Sequence, residues 1–126
     1  MAKQFEFINK QAKKEFLALP DEKRKRFSDS LNVIAGDQGD LTPELYREGD
    51  AVRSKVLKGA FSNVTQLSIN GKPAYRTVYC AKFNNTVYIL HSWTKTSEGT
   101  DRKAMTTLKH RLLELKDKLM RFGIKI

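Results

Sequence analysis

Apolar and polar residues alternate most regularly between positions 52 and 95, where four runs rich in β-branched and aromatic side chains follow one another. We predict four strands, over residues 52–58, 63–69, 74–83 and 86–94. Asn70-Gly71 and Asn84-Asn85 separate consecutive runs and are typical of hairpin turns, which join antiparallel strands. Because Val87 to Leu90 is continuously apolar, the last of these strands is expected in the interior of the sheet.

One more strand and three helices are predicted outside this block. Phe5 and Phe7 alternate with polar residues, which predicts a strand over residues 3–8. Apolar side chains recur at helical spacing in three further segments. The predicted helices run from residue 10 to 19, from Pro20 to about Gly36, and from Thr100 or Asp101 to about Gly123.

This order of elements predicts an α+β fold, namely a mostly antiparallel sheet of four to five strands with two N-terminal helices and a C-terminal helix. We expect the helices to cover one face of the sheet and to leave the other face open to a ligand. The length of 126 residues and the hydrophobic content of 40% indicate a single folded domain over residues 1–126.

Charge is segregated along the chain more sharply than the net charge of +10 alone would show. No Asp or Glu lies between Ala51 and Ser97, whereas basic residues recur throughout that block. They are Arg53, Lys55, Lys58, Lys72, Arg76, Lys82 and Lys95. A sheet that carries only positive charge is an anion-binding surface, and nucleic acid is the largest biological polyanion. An acidic protein, a membrane surface and a merely soluble basic domain are the other interpretations, and the segregation disfavours the last.

Cellular location follows from what the sequence lacks. The single cysteine, Cys80, excludes an intrachain disulfide. We find no secretory signal and no apolar run long enough to span a bilayer. We therefore expect a cytoplasmic protein with no membrane partner. Two histidines and one cysteine form no metal-ligand pattern, so we expect neither a metal nor another cofactor.

Arg76 and His91 are the strongest candidates for chemistry. The guanidinium of Arg76 can clamp a phosphate through two parallel hydrogen bonds, and its block supplies no acid for a salt bridge. His91 titrates near neutral pH, so it can act as an acid or a base. It can equally be a packed core histidine, since Ile89 and Trp93 are expected on its side of the strand. The residues alone leave both interpretations open.

Four further basic residues and two aromatic residues complete the candidate set. Arg53, Lys55, Lys58 and Lys95 can hold an RNA backbone or stabilise developing negative charge, although a single surface lysine is usually just solvated. Tyr79 and Trp93 can stack on a base, although aromatic residues in strands usually belong to the core.

Three sequence pieces, in this order and at close spacing, resemble the HigB-like branch of the RelE/ParE toxin superfamily. They are Lys55-Val56-Leu57-Lys58-Gly59, Tyr75-Arg76-Thr77-Val78-Tyr79 and Ile89-Leu90-His91-Ser92-Trp93-Thr94-Lys95. The chain departs from the pattern of that branch at Gln66-Leu67-Ser68, where the branch has Glu-Leu-Arg. It also departs at Trp93, where Phe is common, and at Thr96, where a second Lys is common.

The resemblance implies a RelE-like fold and the toxin of a type II toxin–antitoxin pair, of bacterial or phage origin. Such toxins enter the ribosomal A site and cut mRNA by 2′-hydroxyl attack without a metal. The implied partners are the ribosome, mRNA and a cognate antitoxin, often a helix-turn-helix protein. Matching positions imply catalytic roles for Arg76, His91 and Lys95. RNA-binding roles fall to Arg53, Lys55, Lys58, Tyr79 and Trp93.

Two other functions stay open at this point. The related ParE branch inhibits DNA gyrase without cleaving RNA, and a degenerate toxin would be a basic RNA- or protein-binding module. The presence of His91 together with Arg76 and several lysines favours the endoribonuclease over gyrase inhibition, whereas the departure at Ser68 keeps the degenerate module open.

Overall fold

The computed structural model describes residues 3–38, 52–57, 63–96 and 101–124. Within these ranges the chain forms five strands, three α-helices and one π-helical turn, in the predicted order. The elements are β1 (Gln4–Phe7), α1 (Lys10–Leu17), α2 (Asp21–Val33), the π-helical turn (Ile34–Gln38), β2 (Val52–Val56), β3 (Thr65–Ile69), β4 (Ala74–Phe83), β5 (Thr86–Lys95) and α3 (Arg102–Arg121). The predicted α+β fold is confirmed.

Local chemistry accounts for the ends of the helices. The side-chain oxygen of Asn9 accepts a hydrogen bond from the backbone N–H of Ala12 at 2.8 Å, which caps α1. Asp101 caps α3 in the same way, through the N–H of Ala104 at 3.1 Å. Because Pro20 disfavours helical backbone at the residue before it, α1 ends at Leu17, two residues before the predicted end.

The sheet has the strand order β1-β5-β4-β3-β2. The four strands from β2 to β5 pair antiparallel, as their short turns predict, whereas β1 pairs parallel to β5. Asn84 and Asn85 both adopt positive φ, at 56° and 50°, which a tight hairpin turn requires of its two central residues. β5 therefore has a partner on each side, as its continuous apolar run predicts.

Helices pack against both faces of the sheet, so the expectation that they cover one face is wrong. Helices α1 and α2 place Phe16, Phe27 and Leu31 in a core with alternate strand residues such as Leu67 and Val87. The leucine stripe of α3 packs against the opposite face, in a second core. Its buried members include Leu108, Leu112, Leu115 and Leu119, together with Val78, Cys80, Tyr88 and Leu90. The physical reason is β5, whose two apolar faces both require cover.

An irregularity between β4 and β5 sets which side chains share a face. Val78 pairs with His91, but the next residue of β4, Tyr79, pairs with Ile89. Leu90 is therefore an extra residue in β5, and it puts His91 on the same face as itself. Ile89 points into the core under α1 and α2, so the expectation that it shares a face with His91 is also wrong.

Candidate nucleic-acid interface

The face of the sheet that α3 packs on carries a row of side chains across four strands. In this row Arg53 of β2 is in register with Ser68 of β3, Ser68 with Arg76 of β4, and Arg76 with Trp93 of β5. Residues directly opposite one another in a sheet point to the same face. With strands about 4.8 Å apart, the row spans about 14 Å. We call these four residues the Arg76 row.

Neighbouring positions extend this basic surface. Lys55 lies two residues beyond Arg53 on β2, is exposed, and belongs to the next row. Lys95 lies two residues beyond Trp93 on β5, opposite Ala74. The fold thus brings together five of the predicted site residues on one face, namely Arg53, Lys55, Arg76, Trp93 and Lys95. Lys58, which is predicted to bind RNA, lies outside the described residues.

Arg76 is half-buried near the centre of the sheet. Its Nη1 donates a hydrogen bond to the carbonyl oxygen of Tyr75 at 3.1 Å. Burial lowers the pKa of the guanidinium, but an arginine stays charged at any physiological pH. Within the four described ranges of the chain, no carboxylate lies within ion-pair distance of Arg76.

Ser68 shows what the departure from the Glu-Leu-Arg pattern does to the surface. Its hydroxyl accepts a hydrogen bond from the Nε2 of Gln66 at 3.3 Å. The serine lies between Arg53 and Arg76 in the row, so the two guanidinium groups flank a small polar side chain. The HigB-like pattern has an arginine at the position of Ser68. In this chain Arg53 supplies a cation next to that position, from the neighbouring strand β2.

Tyr79 does not belong to this surface. Its side chain is 7% exposed and lies in the core under α1 and α2, on the opposite face of the sheet from the Arg76 row. Stacking on a base requires an exposed ring face, which Tyr79 does not offer. The prediction that Tyr79 binds RNA is therefore wrong, and its aromatic ring belongs to the core.

His91 is buried as well, but it is surrounded by polar partners. It is 7% exposed, and its Nδ1 lies 2.7 Å from the Oε1 of Glu15 in α1. Its ring stacks against the ring of Trp93, with centroids 4.7 Å apart and planes inclined by 22°. No acid within the strand block was expected to orient His91, and the structure supplies one from 76 residues earlier in the chain.

Arg111 of α3 completes this buried cluster. Its Nη2 donates to the Oε2 of Glu15 at 2.7 Å, and its Nη1 donates to the carbonyl oxygen of Leu90 at 2.9 Å. Glu15 also accepts from the backbone N–H of Ser92 at 3.4 Å. Glu15, His91 and Arg111, which we call the Glu15 network, thus tie α1, β5 and α3 together.

The electrostatics of the network fix its protonation state. Burial and the charge of Arg111 together lower the pKa of His91 more than Glu15 and Asp101 raise it, so the neutral imidazole is favoured at pH 7. Burial alone would raise the pKa of Glu15, but the hydrogen bonds and the charges of Arg111 and His91 together outweigh burial and lower the pKa. Nδ1 lies 2.7 Å from the Oε1 of Glu15 and 3.3 Å from the Nη1 of Arg111. Because an ionised carboxylate only accepts hydrogen bonds, we assign the proton of the neutral imidazole to Nδ1, facing Glu15.

Both partners of His91 could have been recognised from helix periodicity. Glu15 follows Ala12 by three residues and precedes Leu19 by four, so it lies within the apolar stripe of the helix predicted over residues 10–19. Arg111 has the same relation to Leu108 and Leu115 in α3. A charged residue within an apolar stripe must find a partner in the interior. The sequence therefore indicates that Glu15 and Arg111 need partners in the interior, but it does not show which residues they contact.

The lowered pKa of His91 predicts a loss of stability in mild acid. Below its ordinary value of 6.5, the unfolded chain binds a proton that the buried imidazole resists, so the free energy of unfolding falls as pH falls. The pKa of Glu15 is lowered from its ordinary value, so this carboxylate stays ionised between pH 7 and pH 5 and contributes to the pH dependence only at lower pH. We expect His91→Gln to reduce the change in urea midpoint between pH 7 and pH 5.

The matched control for this measurement is His110→Gln, because His110 is exposed on α3. This variant should keep the pH dependence of the parent. A His91→Gln protein whose urea midpoint falls between pH 7 and pH 5 as much as that of the parent would show that His91 is not the residue responsible.

The described residues of this chain contain no helix long and apolar enough to cross a membrane. In the same ranges, no three His, Cys, Asp or Glu side chains cluster so that they could hold a metal ion. A comparison with curated proteins finds no match.

Two other comparisons do find relatives. A family described as "Phage derived protein Gp49-like (DUF891)" matches residues 14–113. Among solved structures, the fold is similar to that of the E. coli toxin RelE, in a doubly substituted mutant in the free state. The TM-score is 0.58 at 17% sequence identity, and the match covers 89% of this chain and 99% of that chain. The predicted RelE-like fold is confirmed, whereas placement in the HigB-like branch stays a prediction.

Proposed function

This chain belongs to the phage derived protein Gp49-like family, and from that premise we propose that it is the toxin of a type II toxin–antitoxin pair that cleaves mRNA on the ribosome. The observation that carries the proposal is the Arg76 row, which aligns two guanidinium groups with one indole ring on one face of the sheet. Proteins that bind single-stranded RNA combine these elements, since cations hold the phosphates and an aromatic ring stacks on a base.

The proposed reaction is an in-line displacement at phosphorus. The 2′-oxygen bonds to the adjacent phosphorus as the bond to the 5′-oxygen breaks. The products are a 2′,3′-cyclic phosphate and a 5′-hydroxyl. The proton lost from the 2′-hydroxyl is balanced by the proton gained at the 5′-oxygen, so the step consumes no cofactor. Negative charge grows on the phosphoryl oxygens, and fixed cations at that point lower the barrier.

Arg76 and Lys95 are the side chains that we propose to contact the scissile phosphate. Arg76 offers two parallel donors in the centre of the face, and Lys95 adds a positive charge further along β5 on that face. His91 was predicted to be catalytic, but it is 7% exposed and its Nδ1 is engaged by Glu15. We propose that it supports the site and does not touch the RNA.

The proposed partners follow from this reaction. The substrate is mRNA held in the ribosome, which places the protein in the cytoplasm. A cognate antitoxin, for which a helix-turn-helix protein is the type implied by the resemblance, would neutralise the toxin. Arg53 and Lys55 would hold the RNA backbone beside the cleavage point.

The proposal is tested by producing the protein without its partner. We expect growth to arrest, and primer extension on cellular mRNA to reveal new 5′ ends within translated regions. Production of the protein encoded by the adjacent gene should restore growth. Intact mRNA with accumulating DNA breaks would favour gyrase inhibition instead, and normal growth at high protein level would favour a degenerate binding module.

A further inference from the structure

The half-buried indole of Trp93 packs against the core under α3 and stacks on the imidazole of His91, without a hydrogen bond from its ring nitrogen to any described residue. Its Nε1 is buried and has no hydrogen-bond partner within the described ranges. A buried N–H group normally has a hydrogen-bond partner. Because this one has none in that part of the chain, no hydrogen bond at Nε1 holds the ring. The ring contact is the imidazole of His91, stacked at a centroid distance of 4.7 Å. The stacked imidazole of His91 is therefore one of the contacts that set the orientation of the indole, beside the packing of the ring against the core under α3.

The orientation of His91 depends in turn on Glu15. The imidazole is held by the hydrogen bond from its Nδ1 to the Oε1 of Glu15 at 2.7 Å. The carboxylate is itself held by Arg111 at 2.7 Å, and Arg111 is anchored to the carbonyl oxygen of Leu90. Side chains from α1, β5 and α3 thus hold the imidazole against which the indole stacks.

The opposite neighbour of Trp93 is the guanidinium of Arg76, in register with it on the adjacent strand. A base stacked on the indole would bring its own phosphate group close to this cation. We propose that Glu15 and Arg111 are positioning residues, which act through His91 to hold the Trp93 indole as the binding site for one nucleobase beside Arg76. The identity of the ligand as RNA rests on the proposed function, whereas the positioning of the ring does not.

Intrinsic fluorescence gives a direct readout, because Trp93 is the only tryptophan in the chain. Glu15→Gln nearly preserves the shape of the side chain. The carboxylate accepts through both oxygens, Oε1 from His91 and Arg111 and Oε2 from Arg111. The amide has one acceptor oxygen, so its NH₂ group meets a donor at the other place and the full set of bonds cannot form. We expect lower fluorescence anisotropy of Trp93 and at least about a twofold increase in quenching by acrylamide, since an unrestrained ring is more exposed. Far-UV circular dichroism should show that the fold is kept.

The matched control is Asp117→Asn, which removes a carboxylate from an exposed pair with Arg121 on α3. It should leave the anisotropy and the quenching unchanged. If Glu15→Gln leaves both unchanged as well, the network does not position Trp93, whether or not the protein cuts mRNA.

Binding of a base is measured with a 2′-O-methyl RNA oligonucleotide, which cannot be cleaved. It should quench Trp93 in the parent at low salt, and Glu15→Gln should weaken that binding on the order of tenfold, the contribution of one stacked base. Absence of quenching in the parent would overturn the nucleobase site. Quenching that depends on Glu15, in a protein that leaves cellular mRNA intact, would uphold the nucleobase site and refute the proposed nuclease.

A measurement on the parent covers the case in which Glu15→Gln does not fold. Long-range ¹⁵N–¹H NMR correlations report which nitrogen of His91 carries the proton. We expect the Nδ1–H form at pH 7, since that nitrogen faces the carboxylate of Glu15. The Nε2–H form would contradict the network irrespective of any variant.

Discussion

Arg76→Ala is expected to reduce RNA cleavage about a hundredfold and to leave the melting temperature nearly unchanged. The half-buried guanidinium donates to the carbonyl oxygen of Tyr75, and no carboxylate pairs with it in the described part of the chain. Little native structure therefore depends on its charge. In the proposed reaction it faces the phosphate as negative charge grows, and loss of one such donor costs about 3 kcal/mol. The rate is measured on mRNA in a purified translation system.

Two further variants test whether the loss of cleavage is specific to the guanidinium of Arg76. Arg76→Lys should recover only part of the rate, because an ammonium cannot form two parallel hydrogen bonds to phosphate. Lys116→Ala removes an exposed cation from α3 and should cut at the parental rate. A clear fall in the melting temperature of Arg76→Ala would indicate a structural role. If Arg76→Ala keeps the melting temperature of the parent and cleaves RNA at the parental rate, Arg76 is not the phosphate clamp.

Arg111→Met is expected to destabilise the fold by about 3 kcal/mol, measured as a lower urea midpoint. The substitution keeps an apolar stem in the core but removes the two hydrogen bonds that Arg111 donates to the carboxylate of Glu15, one to each oxygen, and the bond that it donates to the carbonyl oxygen of Leu90. The side chain of Glu15 is 17% exposed, so water compensates only a little for the loss. Removing one member of a buried pair leaves the other charge unpaired, and that is the source of the effect.

The exposed pair between Arg121 and Asp117 offers the control for this substitution. Its two side chains are 76% and 65% exposed, and Arg121→Met should change stability by less than about 0.5 kcal/mol. The double variant Glu15→Leu with Arg111→Met should be more stable than Arg111→Met alone, because no unpaired charge is then buried. An Arg111→Met protein with the urea midpoint of the parent would show that Glu15 does not need Arg111.

The sequence by itself determined the elements and most of the basic surface. The predicted span of β4, residues 74–83, agrees with the structure, and the caps Asn9 and Asp101 start their helices as expected. These features depend on interactions within a few residues, such as period-two alternation, a tight turn or a side chain that caps its own helix. Arg53, Lys55 and Arg76 share a face because they lie at matching positions of a regular antiparallel register.

Only the tertiary structure decided which residues surround His91. The extra residue in β5, Leu90, places His91 on the face of the sheet that α3 packs on. No local sequence pattern predicts this change of register. Glu15 and Arg111 reach His91 from elements 76 residues before it and 20 residues after it. Periodicity marks both as charges on apolar stripes, but their meeting requires helices on both faces of the sheet. That arrangement follows from the burial of all apolar surfaces together, a property of the whole chain that no short segment contains.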